Sequence, residues 1–262
     1  MIDSDSHHTS AAHASGCPGA RTSAIIKCVA GASLLALSGL MGRANTPVKN
    51  PYPTMAPLER YLMQRDDEIA LARSAGPEAV TRDAEVMVLG PKGYETAIAG
   101  SNGFVCVVER SWSAPSGDPE FWNPATRGPI CFNPVAVRYC VPLLIKRTQL
   151  VLAGKPKSEI VARMKAARDA REFPTLEPGA MCFMMAKGGH LNNAAGHWHP
   201  HLMFFMSLEE SAWGANLPGS PVIAVTDDLD HVTVFMVPVE KWSDGTGESQ
   251  PEVCAPTEKE RK

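Results

Sequence analysis

The chain has 262 residues, 44% of them hydrophobic and 20% charged, with 25 Lys and Arg against 28 Asp and Glu for a formal net charge of −3. That length and apolar content suffice for one sizeable domain, since domains span about 50–250 residues. The mild acidity, with no basic helix and no cluster of four or more Lys and Arg, argues against nucleic acid as a partner and leaves no footprint for attachment to anionic lipid.

Residue order at the N-terminus predicts export. Arg21 and Lys27 lead into the apolar run Cys28–Met41, and Gly42 and Ala44 put small residues at the −3 and −1 positions of a cleavage site after Ala44. The run holds 14 residues, whereas a spanning helix needs about 20. Membrane contact is therefore expected only through this signal, if it stays uncleaved. The expected organisation is a signal peptide over 1–44, a linker over 45–57, a single domain over 58–240 and a disordered tail over 241–262, rich in Gly, Pro, Glu and Lys. Beyond Ala44 the chain keeps 22 Lys and Arg against 26 Asp and Glu, and its expected location is periplasmic or extracellular.

After the linker, Pro57 in a first turn, Leu58, Leu62 and Ile69 on one stripe and Gly76 just beyond predict a helix. The period then changes. Val86–Leu89, Tyr94–Ala99 and Phe104–Arg110 are short strand-like runs, separated by Gly90-Pro-Lys-Gly93 and Ser101-Asn-Gly103. Those separators are hairpin chemistry, because Gly and Asn tolerate the positive φ of tight turns; the expectation is a three-stranded antiparallel meander. Ser113–Asn133 reads as a loop rich in Pro, Gly and Asn, anchored by Trp112 and Trp122. Asn133-Pro134 has the form of an N-cap and a first helical position. Pro142 is expected to break that helix in two, the second half running to Ala153 before Gly154. Ser158 is expected to cap a further helix to about Arg171, with Ile160, Met164 and Ala167 inward. Met181–Ala186, His201–Met206, Pro221–Thr226 and His231–Val237 return to strand character. Strands and helices that do not alternate strictly predict an α+β fold: a mainly antiparallel sheet of about six to seven strands, with helices inserted after the third strand.

Five cysteines follow Ala44: Cys106, Cys131, Cys140, Cys182 and Cys254. Outside the cytoplasm disulfides persist, and an odd count leaves at least one thiol over. Cys106 lies in a strand-like run and Cys131 ends a loop that must return to the fold, so bridging them closes about 25 residues and stabilises by about 3 kcal/mol. Cys140 and Cys182, in apolar surroundings, read as small buried hydrophobes.

One constellation carries chemistry. Four of the eight histidines fall within 12 residues: His190, His197, His199 and His201. Neutral imidazole ligates zinc, copper and iron, and alternate residues of an extended chain project to one side, so these four are the candidate metal ligands, with Trp198 at the mouth of a ligand site. Pro200 works against regular alternation at that point. A cupin is disfavoured, because its motif wants Gly six residues before the His-x-His pair and Glu four or five after its second His, where this chain has Leu191, Met203 and Phe204. Neither glycine-rich phosphate-loop pattern nor the G-x-S-x-G nucleophile elbow occurs. Cys182 lies in an apolar run that should raise its pKa and blunt it as a nucleophile.

Gly100-Ser-Asn-Gly-Phe-Val-Cys-Val-Val-Glu-Arg110, Cys131, Pro200-His-Leu-Met-Phe-Phe205 and the final run Val232–Val239 resemble a set of predicted exported bacterial proteins with no assigned activity. The resemblance covers roughly Leu58 to Val239 and carries no chemistry with it. It too implies the pairing of Cys106 with Cys131. In that family a Pro often stands where this chain has His199, which weakens the expectation of a shared three-histidine site. Two readings follow. The first is a non-catalytic exported protein that binds a small ligand or an envelope component around Trp112, Trp122, Trp198 and Trp213. The alternative is a metal-dependent hydrolase or oxidoreductase built on the histidines.

Overall fold

The computed structural model describes residues 50–193, 196, 198–227 and 232–248. The expected export signal, His197 and Cys254 lie outside the described residues. The described residues belong to one unit, in which strands β1 (Glu85–Gly90), β2 (Gly93–Ile98), β3 (Val105–Glu109), β4 (Gly128–Phe132), β5 (Met181–Met184), β6 (His201–Met206), β7 (Ile223–Asp227) and β8 (Val232–Pro238) form one sheet. Its order is β2-β1-β3-β4-β5-β6-β8-β7. Every neighbouring pair is antiparallel except β1 and β3. The protein is therefore α+β with a mainly antiparallel sheet, one strand larger than expected. The extra strand is β4, which the sequence presents as the end of a loop.

The three-stranded meander is corrected to a hairpin, β1–β2, followed by a parallel return. The reason is an anchor between β2 and β3. Asn102 Nδ2 donates to Val80 O at 2.7 Å, while the N–H groups of Ser101 and Asn102 both donate to Asp83 O. This draws the chain back to the start of β1 before β3 begins, so the two strands run the same way. Gly100 is required there, because a Cβ on it would sit 2.1 Å from Glu85 N.

Side chains alternate across the sheet with period two. Val86, Cys106, Val108 and Cys131 face α1 (Arg65–Arg73), whose Ala72 packs among them. Met87, Val105, Val107, Ile130 and Phe132 face α3 (Pro134–Leu152) on the other side, where Ala136 and Leu144 join them. Asn133 caps α3 as expected, its Oδ1 accepting from Ala136 N at 2.8 Å with Pro134 following. Pro142 does not break α3. A proline inside a helix costs about 3 kcal/mol, but buried Tyr139, Leu143, Leu144, Leu150 and Val151 lie on both sides of it, and each large apolar side chain buried contributes roughly 1.5–3 kcal/mol. Packing wins. The first expected helix is shorter than read: Leu58–Arg60 is a single 3-10 turn and α1 starts at Arg65, with α2 (Glu78–Thr81) after Gly76. Helix α4 (Lys157–Asp169) begins after Pro156, so Ser158 lies inside it rather than capping it; Ile160, Met164 and Ala167 are its buried residues, as expected.

Cys106 and Cys131 stand directly opposite each other on β3 and β4 and form the disulfide. Cys182 is buried and Cys140, on α3, is half-buried in the cluster between the sheet and α3; burial pushes the Cys182 thiol well up from its usual range. The stretch expected to be a disordered tail opens with a structured turn, in which Lys241 bridges Gly247 and Trp242 is buried. Among the described residues no helix is long and apolar enough to cross a membrane.

Candidate functional site

The segment after β3 builds a wall of aromatic rings. The turn Ser111–Ser113 buries Trp112 completely, its Nε1–H donating to Thr148 Oγ1 at 3.0 Å and its ring 5.0 Å from that of Tyr61. Trp112 is thus a core anchor and not a ligand contact. Further on, the Asp118 carboxylate accepts from Glu120 N, a local turn that presents Phe121 and Trp122 edge to face with centroids 4.6 Å apart. The N-terminal segment is tied over this pair: Tyr61 Oη donates to Trp122 O at 2.8 Å and accepts from Ala56 N at 3.1 Å. At its outer end Tyr52 Oη accepts from Asn193 Nδ2 at 2.5 Å, and the Asn193 N–H is held by the Glu120 carboxylate.

Between that segment, the aromatic pair and the turn joining α3 to α4 lies a cavity of about 380 Å³. Tyr52, Met55, Phe121, Trp122 and Val151 give it apolar walls. Among the described residues its charged lining is Lys155 and Lys157, with no Asp or Glu. Lys155 is neutralised by Glu159 at 3.1 Å. Lys157 lies 4.8 Å above the Phe121 ring centroid and donates to Asp118 O at 3.1 Å; partial burial lowers its pKa. The volume falls at the lower end of small-ligand cavities, and apolar walls with a few placed polar groups are what such sites need.

Of the described histidines, His190, His199 and His201 do not gather as one set. His190 exchanges backbone hydrogen bonds with Arg127, and its Nε2 lies 3.4 Å from Asn193 Oδ1. Its neighbours Gly189 and Leu191 line a different, very small pocket with His201 and Trp198. That pocket measures about 20 Å³, room for one water-sized molecule. His201 is buried, with Nδ1 2.7 Å from His199 O; a carbonyl only accepts, so Nδ1 carries the proton and Nε2 is the basic nitrogen. Burial, reinforced by the nearby His199, outweighs that bond and lowers the His201 pKa. The exposed His199 ring turns Nδ1 toward the Glu248 carboxylate at 2.7 Å. Trp198 packs against His201 at 5.1 Å between centroids. Among the described residues no group of three or more His, Cys, Asp or Glu is placed to hold a metal ion.

Of the cavity, the sequence had marked only Trp122. Tyr52, Phe121 and Lys157 are far apart in the chain, and their one local signal was an aromatic pair set in a Pro, Gly and Asn-rich loop. Comparison with family models, with curated proteins and with solved structures finds no match for this chain.

Proposed function

We propose that the chain is an exported, non-catalytic binding protein whose ligand is a small molecule held in the cavity between Tyr52, Trp122 and Lys157. The observation that carries this reading is the cavity itself: about 380 Å³, walled by aromatic rings and, among the described residues, lined by no carboxylate. Export to a periplasmic or extracellular location is supported by the N-terminal residue order and by the Cys106–Cys131 disulfide, which is the chemistry of an oxidising compartment. Kinship with the exported bacterial family resembled at Gly100–Arg110 fits the same location.

Two measurements test the reading. The full chain produced in bacteria should be recovered outside the cytoplasm with Asn45 as its first residue; recovery in the cytoplasm with an intact leader refutes export. N-phenyl-1-naphthylamine, a neutral aromatic probe, should bind one per chain with enhanced fluorescence, and Thr54→Trp, which fills the cavity from an exposed lining position, should abolish binding. Undiminished binding to Thr54→Trp places the probe elsewhere and removes the support.

A second reading, a metal-dependent hydrolase or oxidoreductase using zinc, copper or iron, rests on one observation. The Nδ1 atoms of His199 and His201 are each held by an oxygen acceptor, an arrangement that orients metal-binding imidazoles by leaving Nε2 for the ion. Purified without a tag, such a protein should carry one metal per chain, lost in His201→Ala. A preparation free of metal that gains no thermal stability from added zinc, copper or iron eliminates this reading.

A further inference from the structure

We infer that the cavity selects a small anion with a flat apolar body, an aromatic or short acyl carboxylate or sulfonate, and that Lys157 is the group that reads the charge. The inference deepens the binding reading above and rests on it. Three features support it. First, the described lining residues include two cations and no acid, so among them an anionic ligand meets no like charge while a cationic one meets two. Second, the two lysines are not equivalent. The ammonium of Lys155 already has Glu159 at 3.1 Å, and that carboxylate also holds Arg163 at 2.7 Å. Lys157 touches a backbone carbonyl and an aromatic face, and the Asp118 carboxylate acts on its charge only from a longer range. An ammonium has three donors, and an uncharged carbonyl with a ring quadrupole leaves its positive charge without a full counter-ion. Third, the position of Lys157 fixes the ligand's shape. With Nζ over the Phe121 ring, an anionic head that reaches it places its body against Phe121 and Trp122, whose faces meet at 85°. A planar group can stack on one of those rings and meet the edge of the other.

The test compares two probes that differ by one sulfonate, 8-anilinonaphthalene-1-sulfonate and N-phenyl-1-naphthylamine, titrated into the full exported chain. The anionic probe should bind roughly tenfold or more tighter, the worth of one charge-assisted hydrogen bond. Lys157→Met should bring the two affinities together by weakening the sulfonate alone, Lys157→Arg should keep most of the difference, and Lys155→Met should leave it nearly unchanged. Lys157 is partly exposed, so these variants should fold, and the neutral probe confirms that the cavity is intact in each. Equal affinities for the two probes, or a preference that survives Lys157→Met, overturn the inference while leaving a ligand cavity in place. If neither probe binds, the cavity is not a ligand site and both readings fall together.

Discussion

The two ends of the sheet are stabilised by different means. At the β1–β3–β4 end both faces are covered, by α1 on one side and α3 on the other, and the disulfide ties β3 to β4. A fully buried ion pair sits there as well: Arg110 Nη2 meets Glu68 Oε1 at 2.9 Å, Arg110 also donates to Tyr61 O and Val108 O, and Glu68 Oε1 accepts from Leu89 N at 3.0 Å. At the β8–β7 end the cover is a short 3-10 turn, Ala212–Gly214, and the chain after it, with Ala212 and Ala215 over Phe235 and Ala224. Leu208, Trp213, Leu217, Ile223 and Val225 are all exposed there. What protects the outer edge of β7 is side-chain chemistry. The Asn216 amide accepts from Ala224 N and donates to Ala224 O, and Glu210 Oε1 accepts from Thr226 N. Two side chains thus stand where another strand would pair, which keeps an apolar edge from recruiting one. Packing is redundant at the first end and replaceable atom by atom at the second.

The largest effect should come from the buried pair. Glu68→Ala strands the Arg110 charge without a counter-ion and leaves the Leu89 N–H without an acceptor, so about 3–5 kcal/mol of stability should be lost in urea unfolding. Glu68→Gln, which still accepts from Leu89, should lose less. A loss below about 1 kcal/mol for the alanine variant would mean that the pair is solvated and that this end is not what sets stability.

Next comes the disulfide. Replacing Cys106 and Cys131 together by Ala should cost about 3 kcal/mol, mostly by loosening the unfolded chain, and reducing agent should lower the melting temperature of the wild-type chain to a similar degree. An unchanged melting temperature under complete reduction would assign the stability of this end to packing alone.

The edge cap should matter less for stability and more for association. Asn216→Ala loses both bonds to Ala224, about 1 kcal/mol because the freed groups at the sheet edge can turn to water, and puts an alanine at φ 60°, a left-handed conformation that asparagine tolerates more readily. It also frees the Ala224 N–H and C=O, so the mass seen in size-exclusion chromatography should rise with concentration more than for the wild-type chain. Asn216→Gly relieves the backbone cost and keeps only the lost bonds; if its mass stays like wild type, the edge is protected by something other than Asn216.

The same contrast governs what could be read in advance. Local signals held where local physics decides: Asn133-Pro134 starts α3, and the stripe Ile160, Met164, Ala167 is the buried side of α4. They failed where tertiary contacts decide. Gly128-Pro129-Ile-Cys-Phe132 opens with two turn-formers and is buried on both faces, so it shows no alternation to mark it as a strand. Pro142 looks like a helix breaker until the burial around it is known. Ser101-Asn-Gly103 looks like hairpin chemistry, but Asn102 bonds to Val80 and Asp83, about 20 residues earlier in the chain. For the cavity, no periodicity links residue 52 to residue 157; a fold is needed to bring them to one space.

The smallest effect joins the cavity to the well-packed end and has a definite sign. Burial raises the Tyr61 pKa above its ordinary value, which is about 10. Above that pH the unfolded phenol gives up its proton while the folded one keeps it, so the stability this group contributes is complete below about pH 10 and is lost as pH rises further, by at most about 1.4 kcal/mol per pH unit. Tyr61→Phe should cost about 1 kcal/mol at pH 8 through the bonds to Trp122 O and Ala56 N, and should lack this share of the alkaline decline. The stability gap between wild type and variant should therefore narrow between pH 8 and 11; a constant gap would show that the phenol ionises alike in both states. Because the same hydroxyl ties Ala56 to Trp122, affinity for the neutral probe should fall in Tyr61→Phe as well, whereas Tyr94→Phe, which loses a bond to Val108 O at the sheet, should leave it unchanged.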